Sequence, residues 1–247
     1  HRDRSADVVV IYSLPSVMWR RSLTSLMVDT GMPSPWGLPG ILAPVLLACQ
    51  VLEENHVAYE VIILGLPGLV DYDNSSLPRL QSVRTAILPG ADAISDHHAS
   101  VLTDWVRGGG HLVTVGDGIG SLDEELKPRP REAFADLRQN CGKGNLSAVP
   151  RSSIDDLTKA IKSNRGQAAK SAALAQVFRP VVRTFDAPEL PQTVWTDVWT
   201  HGDKHMLSVH LTSYGPAQKK KHDKSSKALT NATFAVRVPF EGGVALL

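Results

Sequence analysis

Asp7-Val8-Val9-Val10-Ile11-Tyr12 is the stretch that decides the fold. It is a continuous β-branched run with no polar alternation, so it reads as a strand buried on both faces, as in a parallel sheet. Three further runs have the same character: Tyr59-Glu60-Val61-Ile62-Ile63-Leu64, Thr85-Ala86-Ile87-Leu88 stopped by Pro89-Gly90, and His111-Leu112-Val113-Thr114-Val115. Helical patterns lie among them. Ile41–Asn55 carries Val45, Leu46, Ala48, Cys49 and Leu52 at helical spacing. Ser95 is an N-cap with Asp96 in the first turn, and the helix runs through Ala99, Leu102 and Trp105 to Arg107. Gly108-Gly109-Gly110 ends it.

This order implies a parallel α/β layer sandwich. Ligands on such folds bind at the carboxyl ends of the strands, here the loops after Tyr12, Leu64, Leu88 and Val115. The loop expected from Ser13 to Gly40 is long, rich in Pro and Gly, and holds Trp19, Arg20, Arg21 and Trp36. After residue 150 the pattern changes. Ile154–Ser163 and Gln167–Phe178 read as helical. Val194–Thr200 and His205–Ser213 read as a hairpin around His201-Gly202-Asp203-Lys204, and Thr233–Val238 as a third strand. The expected division is an α/β domain over 1–150, a helical connector over 151–180 and a β-sandwich-like domain over 181–247.

Composition bounds the function. The 247 residues are 43% hydrophobic and 21% charged, which is globular composition. The net charge of +1 gives no global field for nucleic acid. It hides a split: residues 1–150 hold 12 Lys+Arg against 17 Asp+Glu, and residues 151–247 hold 14 against 8. Two cysteines, Cys49 and Cys141, exclude a disulfide scaffold. No apolar stretch approaches the roughly 18–20 residues of a membrane helix, and the N-terminus has no signal core. A chain that opens on His1 is expected to be processed or part of something longer. Asn74, Asn145 and Asn231 each open an N-x-Ser/Thr sequon near expected loops, so a secreted or lumenal glycoprotein is expected.

Several constellations carry possible chemistry. Gly116-Asp117-Gly118-Ile119-Gly120 follows a strand as a phosphate cradle does, yet position 121 is Ser where the dinucleotide pattern has Gly. A strand turn that needs small residues is the plainer reading. Asp117 with Asp123-Glu124-Glu125 is an acidic group suited to glycoside acid–base work or, more simply, to a solvated first helical turn. Asp96-His97-His98 suggests a metal, but adjacent helical residues point to different sides and no third ligand has the spacing. His201, His205 and His210 read as hairpin residues. Lys219-Lys220-Lys221-His222-Asp223-Lys224 reads as a solvated loop with some affinity for polyanions. No metal or cofactor is expected.

The order Val8–Ser13, Tyr59–Ile63, Ala86-Ile87-Leu88-Pro89-Gly90 and Trp105-Val106-Arg107-Gly108-Gly109-Gly110-His111-Leu112-Val113 resembles the β-galactosidase trimerisation domain. That domain has a class I glutamine amidotransferase-like, flavodoxin-type fold. The resemblance covers about residues 7–135, and the passage from Ala86 to Val115 is its most specific part. Set against the family's nucleophile elbow, Gly118 stands where amidotransferases have Cys, so thiol chemistry is excluded at that point. The family's catalytic barrel needs about 250 residues by itself and is absent from this chain. The tail, Val194–Trp199 and Leu207-Ser208-Val209-His210-Leu211-Thr212-Ser213-Tyr214, is similar to small C-terminal β-domains of carbohydrate-active enzymes, with Ser213 in place of their Asn.

The resemblance implies a non-catalytic assembly or accessory protein derived from a carbohydrate-active enzyme. It would self-associate or join a larger assembly. Trp19, Arg20 and Trp36 are its interface candidates, since aromatics and Arg favour interface cores. One alternative is a fragment or subunit of a β-galactosidase-like glycoside hydrolase. Another is a glycan-binding module using Trp195 and Trp199, which lie four residues apart on one strand face.

Overall fold

A computed structural model describes residues 3–4, 6–18, 43–66, 68, 72–150, 152, 178, 185–186, 190, 194–201, 206–213 and 235–236. Its strands are β1 Asp3–Arg4, β2 Val8–Ser13, β3 Tyr59–Leu64, β4 Thr85–Pro89, β5 His111–Val115, β6 Asn145–Val149, β7 Phe185–Asp186, β8 Val194–His201, β9 Met206–Ser213 and β10 Ala235–Val236. Its helices are α1 Leu14–Met18, α2 Ala43–Glu54, α3 Asp73–Leu80 and α4 Asp96–Arg107.

Strands β2 to β6 form one parallel sheet in the order β3-β2-β4-β5-β6. The run Val8-Val9-Val10-Ile11 is wholly buried because it feeds two cores. Val8 and Val10 pack with Val45, Ala48, Val51 and Leu52 of α2 on one face. Val9 and Ile11 pack with Leu80 of α3 and with Leu102, Trp105 and Val106 of α4 on the other. The chain goes outward to β3 with α2 on one face. It then reverses direction across β2 with α3 and α4 on the opposite face, as right-handed crossovers require. The result is the expected three-layer α/β sandwich with a smaller antiparallel β part.

That smaller part is the hairpin β8–β9, paired from His201↔Met206 to Val194↔Ser213. Strand β1 joins it antiparallel, Asp3 opposite Thr200. Its buried face, Val194 and Val198, meets Ala58 and Leu190. The link is His56, which sits at the end of α2 with φ +57. The chain turns there with His56 N–H on Glu53 O and Val57 N–H on Leu52 O, a Schellman closure. The buried imidazole reaches Leu190 O through Nε2 at 3.0 Å.

The structure corrects several local expectations. Helix α1 starts directly after β2 where a loop was expected, and residues 19–42 lie outside the described residues. Helix α3 was not expected from Asp73-Asn74-Ser75-Ser76-Leu77-Pro78-Arg79-Leu80, a polar stretch with a proline inside it. Tertiary bonds hold it: Ser76 Oγ accepts from Ile63 N–H at 3.4 Å, and Arg79 pairs with Glu60 at 2.9 Å. Asn74 is thus helical, not in a loop. Strand β6 was not expected either. The third C-terminal strand is only Ala235–Val236, and it pairs with β7 instead of the hairpin. Of the expected connector helices, only Phe178 is described, buried against Val8 and Val113.

Ser95 and the triple glycine act as expected. Ser95 Oγ accepts from His98 N–H at 3.1 Å, and Gly108 N–H closes on Asp104 O. Gly109 takes φ +125, and a Cβ on Gly110 would strike the Trp105 indole. Gly144, before β6, is tighter still. A Cβ there would collide with the carbonyl oxygens of Val106 and Gly110, backbone that cannot swing away. Gly144→Ala is therefore expected to cost about 3 kcal/mol of stability. Gly108→Ala, where φ is −72 and a Cβ meets ordinary contacts, should stay within about 0.5 kcal/mol. Urea unfolding midpoints measure both.

His111 of β5 bonds Ser147 Oγ of β6 through Nε2 at 2.9 Å, and burial lowers its pKa. The unfolded chain then binds a proton at higher pH than the folded chain. Stability should fall as pH drops through about 6.5, the unfolded value, and level off below the folded one. His111→Gln should flatten that part of the stability–pH curve, read by thermal unfolding from pH 7.5 to 5.

Candidate functional site

The strand ends Ser13, Pro89, Val115 and Val149 share one end of the parallel sheet. The order reverses between β2 and β4, and a crevice there is the usual ligand site. Here the chain's own backbone occupies it. Ser13 Oγ donates to Ala93 O at 2.6 Å, Ser16 Oγ lies 2.8 Å from the same oxygen, and Ala93 N–H donates to Ser16 Oγ at 2.9 Å. Ser13, Ser16 and Asp92 are all buried. The hydroxyls that would orient a ligand instead hold the 91–94 segment against β2.

The Gly116–Gly120 turn comes next. Gly116, Gly118 and Gly120 have φ of +116, +65 and +70, a region that side chains avoid. Gly116 N–H donates to Val149 O and Gly120 N–H to Ala91 O. The turn leads into further turns, not into a helix, so no helix N-terminus stands there to cradle a phosphate. The small-residue turn is the reading the geometry favours.

Beneath it lies a cleft of ≈ 640 Å³. The crossover from β5 to β6 carries no α-helix, so part of the sheet face beside α4 is open. Ile119, Phe134, Leu137 and Cys141 line the cleft, together with Leu146 and Ala148 of β6. Asp117, Arg138 and Asn145 stand exposed at the rim, with Arg138 paired to Glu132 at 2.5 Å. Sequence reasoning missed this cleft because its walls come from three separate segments.

Cys141 Sγ donates to Leu137 O at 2.8 Å. Burial pushes the Cys49 thiol up to about 11, far from the thiolate range. Within the acidic group Asp123 has a structural role: no helix follows it, and its Oδ1 accepts from Glu125 N–H at 2.9 Å and Lys127 N–H at 2.8 Å, closing a turn.

The two histidines do not diverge as expected. Both rings reach Asp73: His98 Nε2 to Oδ1 at 2.7 Å and His97 Nε2 to Oδ2 at 3.4 Å. His98 Nδ1 lies 2.8 Å from Ser95 Oγ. Ser, His and Asp in a row suggest a hydrolase, but Ser95 and His98 are each 1% exposed and the hydroxyl is spent capping α4. The array pins the start of α3 to the start of α4. Among the described residues, no group of three His, Cys, Asp or Glu side chains is arranged to hold a metal ion.

Trp19, Arg20, Trp36, Asn231 and the 219–224 lysine run lie outside the described residues. Asn74 is exposed in α3, and Asn145 is exposed at the start of β6. Val194, Thr196 and Val198 are buried, so positions 195, 197 and 199 fall on the other strand face. There Trp199 Nε1 donates to Asp197 Oδ2 at 2.8 Å. No described helix is long and apolar enough to cross a membrane.

No protein-family model and no curated protein matches the sequence. Solved structures do. The cold-adapted β-galactosidase from Rahnella sp. R3 is 16% identical, matching 86% of this chain and 36% of its own, with a TM-score of 0.54. The β-galactosidase from Bifidobacterium adolescentis is 18% identical over 54% of this chain and 52% of its own, with a TM-score of 0.36. An exo-carrageenase GH42 from Bacteroides ovatus is 11% identical over 85% and 23%, with a TM-score of 0.41. Of these three, the Rahnella enzyme has the TM-score above 0.5. The likeness is one of fold: the chain shares its fold with part of that enzyme. The chain spans about a third of that enzyme's length.

The crevice network sets an expectation. Ser16→Ala removes the nearer of two acceptors of Ala93 N–H, the other being Asp92 Oδ1 at 3.1 Å, and one donor to Ala93 O. It should destabilise the chain by about 1–3 kcal/mol, measured by chemical unfolding.

Proposed function

We propose that the chain is a non-catalytic assembly or accessory part of a protein related to the glycoside hydrolases. The observation that carries this reading is the carboxyl end of the sheet. There the elbow position is Gly118, with no side chain to react, and the Ser13 and Ser16 hydroxyls are committed to the chain's own backbone. The likeness in fold to the Rahnella β-galactosidase supports the kind of parent protein. The finer identity, a trimerisation domain of amidotransferase-like type, belongs to this proposal. So do the division into 1–150, 151–180 and 181–247 and a secreted or lumenal compartment with occupied sequons.

One alternative has its own support. The chain matches 86% of itself but only 36% of the β-galactosidase, as a fragment or subunit of a larger hydrolase would. Two measurements separate the readings. The chain alone should show no turnover of aryl galactosides. Turnover that is lost in Asp117→Asn or Glu124→Gln would overturn the non-catalytic reading. Sedimentation over a concentration range should reveal self-association, weakened in Trp19→Ala. A monomer at every concentration would count against assembly through this chain.

A further inference from the structure

We propose that the outer edge of β6, with the cleft beside it, takes up an extended peptide segment of a partner protein as an added strand. The proposal deepens the assembly reading, and rests on it, by giving one surface and the chemistry that fits it.

The backbone ladder supplies the first support. Asn145 N–H donates to Gly110 O at 3.0 Å, Thr114 Oγ1 to Ser147 O at 3.3 Å, and Gly116 N–H to Val149 O at 2.9 Å. Residues 145, 147 and 149 therefore face β5. In a strand, the N–H and C=O of one residue leave on the same side and successive residues alternate. Leu146 and Ala148 thus direct theirs away from the sheet. Neither has a backbone hydrogen-bond partner among the described residues. Ala148 is exposed, so the edge is open to solvent. An uncovered strand edge is a template for another strand.

The cleft supplies the second. Leu146 and Ala148 also line it, beside Ile119, Leu137 and Cys141. A strand laid along β6 places alternate side chains on that face, and one of them falls over the cleft. Main-chain bonds then give affinity and the pocket gives selectivity for an apolar anchor. Charge fixes the flank. Arg138 at the rim is already paired with Glu132, so the charge on this flank is that of Lys143, exposed just before β6. The partner segment therefore has an acidic residue at the end that meets Lys143.

The full chain, made without N-glycans because Asn145 opens this edge, is titrated against a fluorescein-labelled, end-capped Glu-Thr-Val-Leu-Val-Thr peptide. Anisotropy should show saturable binding. Ala148→Pro deletes an outward N–H without touching the β5 ladder, and proline is tolerated on edges. It should weaken binding about tenfold. The same peptide N-methylated at alternate residues should lose binding to the unaltered protein, a result that no folding defect can mimic. Lys143→Glu should weaken binding, most at low salt. No binding, or binding indifferent to both Ala148→Pro and N-methylation, overturns the proposal. So does a dimer that Ala148→Pro dissolves, which would give the edge to a second copy. Self-association that persists without peptide binding would sink this edge and leave the assembly reading standing.

Discussion

The structure depends on covering both faces of β2. Val8, Val9, Val10 and Ile11 are all fully buried, and each contributes roughly 1.5–3 kcal/mol of burial against exposure. A strand that is apolar on both sides has no stable place at the surface of an antiparallel sheet. It forces parallel neighbours, and parallel neighbours need crossovers that put helices on both faces. The three-layer arrangement of α2 on one side and α3 with α4 on the other follows from those few residues.

The strands and helices that serve this constraint were legible in the sequence. β2, β3, β4 and β5 announce themselves as apolar runs, and α4 by its N-cap, its stripe and its glycines. Elements remote from the constraint were not. Helix α3 holds eight residues of which only Ser76 and Leu80 are buried, so it has almost no apolar stripe to read. It is specified by partners distant in sequence: Asp73 by His98, Ser76 by Ile63 and Arg79 by Glu60. Strand β6 reads Asn-Leu-Ser-Ala-Val and has one neighbouring strand among the described residues, and of its five residues Val149 is the buried one. An edge strand carries little hydrophobic signal for the same reason that it remains an edge.

The candidate site was legible in a different proportion. The glycine requirement after β5 was visible, since three left-handed positions in five residues demand it. What the turn does was not visible, because that depends on Val149 and Ala91 accepting its N–H groups. The histidines converge for a reason that local periodicity does not carry. Helical periodicity separates adjacent side chains near the axis, but long imidazoles can converge on one carboxylate from a neighbouring helix. Asp73 does this, using one oxygen for each ring.

The absence of an α-helix between β5 and β6 has two structural consequences. A helix on that crossover would have packed over Leu112, Thr114, Leu146 and Ala148, as α4 packs over its own strands. The turns from 117 to 144 reach only part of the way, with Phe134 and Leu137 in the core and a cleft left beside them. Arg129 ties them to Ile94 O and Leu122 O, and Gly144 lies close against the backbone of Val106 and Gly110. That close approach sets where β6 begins, and hence which of its residues face β5 and which face outward. The crevice between β2 and β4 is closed by hydroxyls and backbone, while the far edge retains a cleft and, among the described residues, strand groups without backbone partners. Among the described residues, the switch point where folds of this order usually bind is thus filled by the chain itself, and open space is left instead beside the sheet's far edge.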